Sequence, residues 1–297
     1  MRLPLFASIA ARFIAHEPRS RDGVRLATAT LLLWARGRLA ARDRPARLTA
    51  TAGGRRVTFT AWTYIDMLIA REIFLDRTYR VPADLTPRTI FDLGANTGIS
   101  VRFLRTLYPD ATILAVEPDP GNFDRLTENV SGDDRTHVVR AAAGPEHGRA
   151  TFYAQADGWG SSLEPRDGAR PVDVDVVTVA ELLHQTGEEQ VDLLKIDIEG
   201  GEWPLLEAGA VQDVADCLMG ELHFDPDHNL ADAERLLAGF DVTFHATGGT
   251  RASFTARRRD VGPTKGRRAV PHAREGHNWE MHRSGRTPGP SGSRQRS

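Results

Sequence analysis

The sequence predicts an α/β protein with a mostly parallel sheet covered by helices on both faces. Three observations carry this. From about residue 60 onward, short apolar runs alternate with segments of helical period, as βαβ units require. The first run, TIFDLG (Thr89–Gly94), ends in a glycine-bearing turn, and the second, TILAVEP (Thr112–Pro118), ends in an acid, Glu117. A later run, VDLLKID, leads directly into IEGGEW, so that a core strand ends in Asp197, Glu199 and Glu202.

AWTYIDMLIAREIFLDRTY carries apolar residues at helical spacing and predicts a helix, closed off by Pro82 and Pro87. TIFDLG is a strand and NTGISVRFLRTLY the helix behind it. TILAVEP is the second strand, and PGNFDRLTENV a helix that opens on a proline. THVVRAAA predicts a third strand from Thr136 to Ala143. ATFYAQA reads as an extra strand, followed by the loop DGWGSSLEPRDGARP, where Trp159 between glycines reads equally as a cover for a pocket or as a surface anchor. VDVDVVTV alternates as another strand and leads into AELLHQ. VDLLKID is the fourth parallel strand with EWPLLEAGA as its helix, and CLMGELHF the fifth with NLADAERLLAGF. DVTFHATG and RASFTAR close a seven-stranded sheet as a hairpin. Right-handed crossovers gather the strand C-termini on one edge, where such sheets bind ligands.

Composition is that of an ordinary globule: 297 residues, 40% hydrophobic and 26% charged. A single cysteine, Cys217, allows no intrachain disulfide and fits a reducing, cytoplasmic location. There is no Walker A pattern, no GxSxG elbow and no HExxH. The net charge of −2 hides a division. Residues 1–47 hold ten Arg against Glu17, Asp22 and Asp43, a net +7. Residues 257–297 hold eleven Lys and Arg against Asp260, Glu275 and Glu280, a net +8, which leaves −17 on the middle. An acidic body does not suit nucleic acid. The chain therefore reads as a basic N-terminal helical extension (1–60), a body (61–256) and a disordered basic tail (257–297). The apolar runs of the extension, LFASIAARFIAH and LATATLLLWA, are too short to span a bilayer; they read as helices packed on the body, with membrane-surface contact as the minority reading.

In FDLGANTG the spacing is G-x-x-x-G. Asn96 stands where a dinucleotide-binding turn has its middle glycine, which crowds a pyrophosphate and argues against a nicotinamide-dependent dehydrogenase. Glu117 lies 23 residues after Gly94, the separation at which an acid accepts both ribose hydroxyls.

FDLGANTGISVRFL, AVEPDPGNFDRLTENV, AAAG and VDLLKIDIEGGEWPLLEAGA followed by GELH resemble the FkbM family of S-adenosylmethionine-dependent methyltransferases, over about Trp62 to Phe224. The resemblance implies a Rossmann-like class I methyltransferase fold and O-methylation of a hydroxyl on a small molecule, sugar or natural product. It implies that Asp92, Gly94, Ala95, Asn96 and Gly98 hold the methionine part of the donor. Glu117 would take the ribose with Pro118, Asp119 and Asn122 nearby, and Ala142 and Ala143 would lie beside the adenine. Asp197 would face the donor's amino group or the acceptor hydroxyl. VVTVAELL departs from the family pattern, with Ala180 where an Asp is usual.

Methyl transfer to an alcohol needs positioning and a base. A sulfonium donor explains carboxylates around it. Asp197 and Glu199, two apart, are placed to meet donor and acceptor; Glu202 falls in the first turn of the next helix, where the dipole alone favours an acid. Glu221 and His223 repeat the two-apart spacing on the neighbouring strand, with His223 the expected general base. A divalent metal on Asp197, Glu221 and His223 is the less favoured alternative. Outside enzymes, the rival reading is a nucleoside-binding protein that does no chemistry.

Overall fold

The computed structural model describes residues 4–16, 21–38, 44–155, 162, 168–259 and 282–283. Trp159 and nearly all of the tail expected to be disordered lie outside the described residues.

The chain opens with helices α1 (Leu5–His16) and α2 (Arg21–Arg38). Strands β1 (Ala46–Ala52) and β2 (Arg55–Ala61) follow as an antiparallel hairpin, so the first sixty residues are not helical throughout as expected. Helix α3 (Tyr64–Arg71) starts at a capping box between Thr63 and Asp66 and passes into a π-helical turn, Glu72–Asp76. Then come β3 (Thr89–Leu93), α4 (Ile99–Leu107), β4 (Thr112–Val116), α5 (Pro120–Asn129) and β5 (Thr136–Val139).

The run THVVRAAA is not one strand. It breaks at Arg140 and Ala141, and β6 (Ala142–Ala143) joins β7 (Gly148–Ala154) and β8 (Arg170–Val177) in a separate three-stranded sheet, order β6-β8-β7. Helix α6 (Val179–Thr186) is capped by Thr178 and Glu181. Ala180, the family departure, sits exposed in its first turn. The chain continues with β9 (Leu193–Ile196), α7 (Glu202–Glu207), β10 (Cys217–His223), α8 (Leu230–Leu236), β11 (Phe240–Gly248) and β12 (Arg251–Arg258). A two-residue strand, β13 (His282–Arg283), pairs with the edge of β5. The body runs past the expected boundary at 256: the backbone N–H of Arg258 and of Arg259 donate to Asp216 and Gly239.

The main sheet has the order β11-β12-β10-β9-β3-β4-β5-β13. Strands β10, β9, β3, β4 and β5 are parallel neighbours, with the first three in sequence (β3, β4, β5) leading one way and β9, β10 the other. The order therefore reverses between β3 and β9, the switch point where such sheets bind ligands. The hairpin β11–β12 closes the sheet as expected, with β12 inserted antiparallel beside β10. One apolar cluster, including Ile90, Ile113, Leu193 and Met219, lies under α1 to α5; a second, including Phe91, Leu114, Leu194 and Trp203, lies under α6 to α8. This is the two-faced burial that makes parallel strands read as continuous apolar runs.

Candidate active site

A pocket open to solvent lies over the β3–β9 switch point. Gly94, Ala95, Asn96, Glu117, Pro118, Asn122, Ala142, Ala143, Asp197, Glu199 and Glu221 line it, all singled out from sequence. Ala142 and Ala143 reach it from the small sheet rather than from the end of a third main strand. Asp92, Gly98, Asp119 and His223 do not line it; each holds a residue or turn that does.

At one end the pocket is built from backbone. Gly94 takes φ +78, and a Cβ there would fall 1.9 Å from the Asp197 carbonyl oxygen, so only glycine lets β3 and β9 approach at this turn. Asn96 follows at φ +48, a left-handed conformation that Asn tolerates. Gly98 starts α4 at φ +84. Glu117 is buried: its Oε2 accepts the Asn96 N–H at 2.9 Å and its Oε1 the Asp119 N–H at 2.9 Å. Each carboxylate oxygen keeps a lone pair for a ligand hydroxyl. Burial pushes the Glu117 carboxyl up to about 7, against those two N–H bonds. Asp119 is the N-cap of α5, accepting from the Asn122 N–H.

Asp92 lies beneath this turn, fully buried, paired with Lys195 Nζ at 2.8 Å and accepting from Ser100 Oγ at 2.6 Å. Lys195 also donates to the Gly94 carbonyl at 3.0 Å. Burial opposes its charge, but Asp92 and Asp197 keep its pKa above the ordinary lysine value. The sequence reading missed Lys195, although a signal existed: LLKI and IFDLG each place one charge in an otherwise apolar strand, and a buried charge needs a partner.

At the other end the pocket is built from side chains. Asp197 Oδ2 accepts from the buried Tyr79 hydroxyl at 2.5 Å, and burial together with Asp197 raises that phenol well above its ordinary value. Glu221 of β10 is paired with Arg251 of β12, whose Nη1 lies 3.2 Å from it, while Nη2 lies 3.3 Å from Glu72. Burial, with the Asp197 charge, pushes Glu221 up to about 7, against Arg251. Tyr79, Glu72 and Arg251 are the further residues missed: Tyr79 meets Asp197, and Glu72 meets Arg251, across more than a hundred residues of chain.

His223 shares its face of β10 with Glu221, as the two-apart spacing requires. Its Nδ1 lies 3.2 Å from Glu202 Oε1, and its Nε2 lies 3.8 Å from Glu199. Burial opposes its charge, but the Glu202 hydrogen bond and the charges of Glu202, Asp197 and Glu199 push it up to about 10. Glu202 does more than suit a helix dipole: its carboxylate also accepts the N–H groups of Ile198 at 2.8 Å and Gly200 at 2.9 Å, which fixes the turn after β9. There Glu199 sits at φ +57, so it reaches the pocket through the turn and not through strand alternation. Trp203 is buried and donates Nε1–H to the His223 carbonyl at 2.6 Å. Ligand atoms of Asp197, Glu221 and His223 lie within 4.8 Å of one another.

The chain is similar to several known proteins. Methyltransferase 1 of Beauveria bassiana is 31% identical over 203 residues, covering 59% of this chain and 80% of that protein. The 31-O-demethyl-FK506 methyltransferase FkbM of Streptomyces tacrolimicus is 30% identical over 236 residues, covering 65% and 89%. The 2-O-methyltransferase NoeI of Sinorhizobium fredii is 29% identical over 139 residues, covering 40% and 56%. Among solved structures, the FkbM methyltransferase of Methylobacillus flagellatus covers 84% of this chain and 57% of its own, with 14% identity and a TM-score of 0.43. The family model for the methyltransferase FkbM domain matches residues 92–252, a span that holds the Gly94 turn, Glu117 and the Asp197–Glu221–Arg251 end of the pocket, and the chain belongs to that family of S-adenosylmethionine-dependent methyltransferases.

Proposed function

We propose that the protein methylates a hydroxyl of a small molecule, a sugar or natural product, with the donor on the backbone-built end of the pocket and the acceptor on the side-chain end. The observation that carries this is the acidic cluster of Asp197 and Glu221, which shares one pocket with the buried Glu117. Two relatives named as methyltransferases of oxygen support a hydroxyl acceptor.

The residues fit the donor by their chemistry. S-adenosylmethionine supplies an electrophilic methyl on a sulfonium cation that also carries an ammonium group. Carboxylates at Asp197 and Glu199 suit that charge, Glu117 keeps lone pairs for two ribose hydroxyls, and the Gly94–Gly98 turn leaves room for a close backbone contact. Ala142 and Ala143 offer the adenine a small apolar wall.

On the acceptor side, positioning is the first contribution. Glu221 is the base that the surroundings favour: its raised value, about 7, lets it take a proton near neutrality. His223 serves otherwise than as the expected base. Held as an imidazolium by Glu202 and Glu199, it is a fixed positive partner that orients the carboxylates around it. Asp197, fixed by Tyr79, holds the hydroxyl or the donor's ammonium group.

A divalent cation on Asp197, Glu221 and His223 is the second reading. It is favoured by the Glu202 bond to Nδ1, because metal-bound histidines characteristically give their other ring nitrogen to a carboxylate. It must displace the proton that three carboxylates hold on His223, which is why the metal-free reading is preferred. Transfer of a labelled methyl group to a panel of hydroxylated small molecules, with and without chelator, tests both. Label on oxygen and indifference to chelator are expected. Loss of activity with chelator and recovery with magnesium or manganese would establish the cation. Donor binding without turnover on any hydroxyl would count against the proposal.

A further inference from the structure

All the exposed large apolar side chains among the described residues, Leu5, Ile14, Val24, Leu31 and Leu32, lie on α1 and α2, with exposures from 41% to 58%. The inner faces of these helices are spent on the core: Ile9, Phe13, Leu26 and Leu33 belong to the cluster under α3 and β1. On α2 the outward residues Arg21, Val24, Arg25, Thr28, Leu31 and Leu32 fall at helical spacing, so that apolar side chains and arginines are interleaved on one face. The helix thus has a buried apolar face and an outer face of valine and leucines set among arginines.

We infer that this outer face docks on an anionic lipid surface. Charge selects the occupant. Residues 1–47 carry ten Arg against three acids, and the middle of the chain is strongly acidic. A bilayer rich in anionic lipid attracts the arm and repels the body, which sets one orientation. Apolar residues set among arginines match a helix that lies in the headgroup region, with its guanidinium groups reaching phosphates. The arm lies on the surface and does not span it, since among the described residues no helix is long and apolar enough to cross a membrane.

The arm is not a loose tether. Arg12 of α1 pairs with Asp76 at 2.5 Å, Arg71 joins Asp76 at 3.0 Å to Glu72 at 2.8 Å, and Glu72 meets Arg251 in the pocket wall. A docked arm therefore holds the pocket wall at a fixed place relative to the surface.

Flotation of the full chain with vesicles tests this, using phosphatidylcholine alone against equal parts phosphatidylcholine and phosphatidylserine. Binding at least about tenfold stronger to the anionic vesicles, weakening as salt is added, is expected. The Leu31→Glu/Leu32→Glu variant should lose about tenfold or more of it, with melting temperature and S-adenosylmethionine affinity unchanged. Absence of flotation, or equal flotation of the variant, overturns the inference. So does a light-scattering mass that falls from dimer to monomer in the variant, which would assign the face to a second protein copy.

Discussion

The two ends of the pocket are made of different material. The donor end is backbone and near-neighbour side chains: Gly94, Asn96 and Glu117 come from two consecutive βα units, and Glu117 is held by the N–H groups of Asn96 and Asp119. The acceptor end is made of paired polar and charged side chains: Tyr79 to Asp197, Arg251 to Glu72 and Glu221, His223 to Glu202. The difference teaches where specificity can change at low cost. A backbone-built site tolerates little, because its geometry is the geometry of the sheet. A site of paired side chains can be retuned one pair at a time.

The largest effect should come from the acceptor end. Glu221→Gln removes the proposed base and should lower kcat by about 10²–10⁴, measured with saturating donor. An unchanged kcat would remove Glu221 from the chemistry. Glu202→Gln comes next: it takes away the partner that keeps His223 charged, so the alkaline limb of the pH–rate profile should move to lower pH, with kcat down about tenfold. A profile that stays in place would mean His223 is charged for another reason. Arg251→Gln should act in the other direction. Without the guanidinium the Glu221 carboxyl rises above about 7, and the acidic limb should move to higher pH.

The contrast between the ends also governs how much could be read from the sequence. The parallel core was legible because strands buried on both faces must be continuous apolar runs, and because a glycine turn followed by Glu117 fixes the switch point. Asp197, Glu221 and His223 were legible as strand-end residues. Their states were not. His223 as a base is a statement about spacing alone; Glu202, in the first turn of the following helix, turns it into a cation. Arg251 lies in a strand that sequence could assign to the sheet's closing hairpin, but only the insertion of β12 beside β10 brings it to Glu221. The break between β5 and β6 was hidden because THVVRAAA has no residue that forbids a continuous strand. The β1–β2 hairpin carried a signal that was missed: ARLTATA and RRVTFTA alternate on either side of Gly53 and Gly54.

The smallest effect expected is on stability. Glu117 and Glu221 have folded values raised from 4.5 to about 7, so the ligand-free protein favours their protonated forms. That stabilisation is complete below the unfolded value and is lost as pH rises through about 7. His223 is raised from 6.5 to about 10, so its contribution is complete below 6.5 and is lost as pH rises through about 10. All three run the same way. Melting temperature measured without ligand should fall with rising pH, and Glu221→Gln should flatten the fall between about pH 4.5 and 7. A slope identical to wild type would place the Glu221 carboxyl near its ordinary value.

The central claim, one pocket with a donor end and an acceptor end, is tested most directly by calorimetric titration of S-adenosylmethionine into the wild type, Glu117→Ala and Glu221→Gln. Glu117→Ala leaves two ribose hydroxyls without acceptors, at about 1–3 kcal/mol, so affinity should fall about tenfold to a hundredfold. Glu221→Gln should bind within about twofold of wild type while failing to turn over. Normal donor binding by Glu117→Ala, or an equal loss in both variants, would contradict the division of the pocket into these two ends.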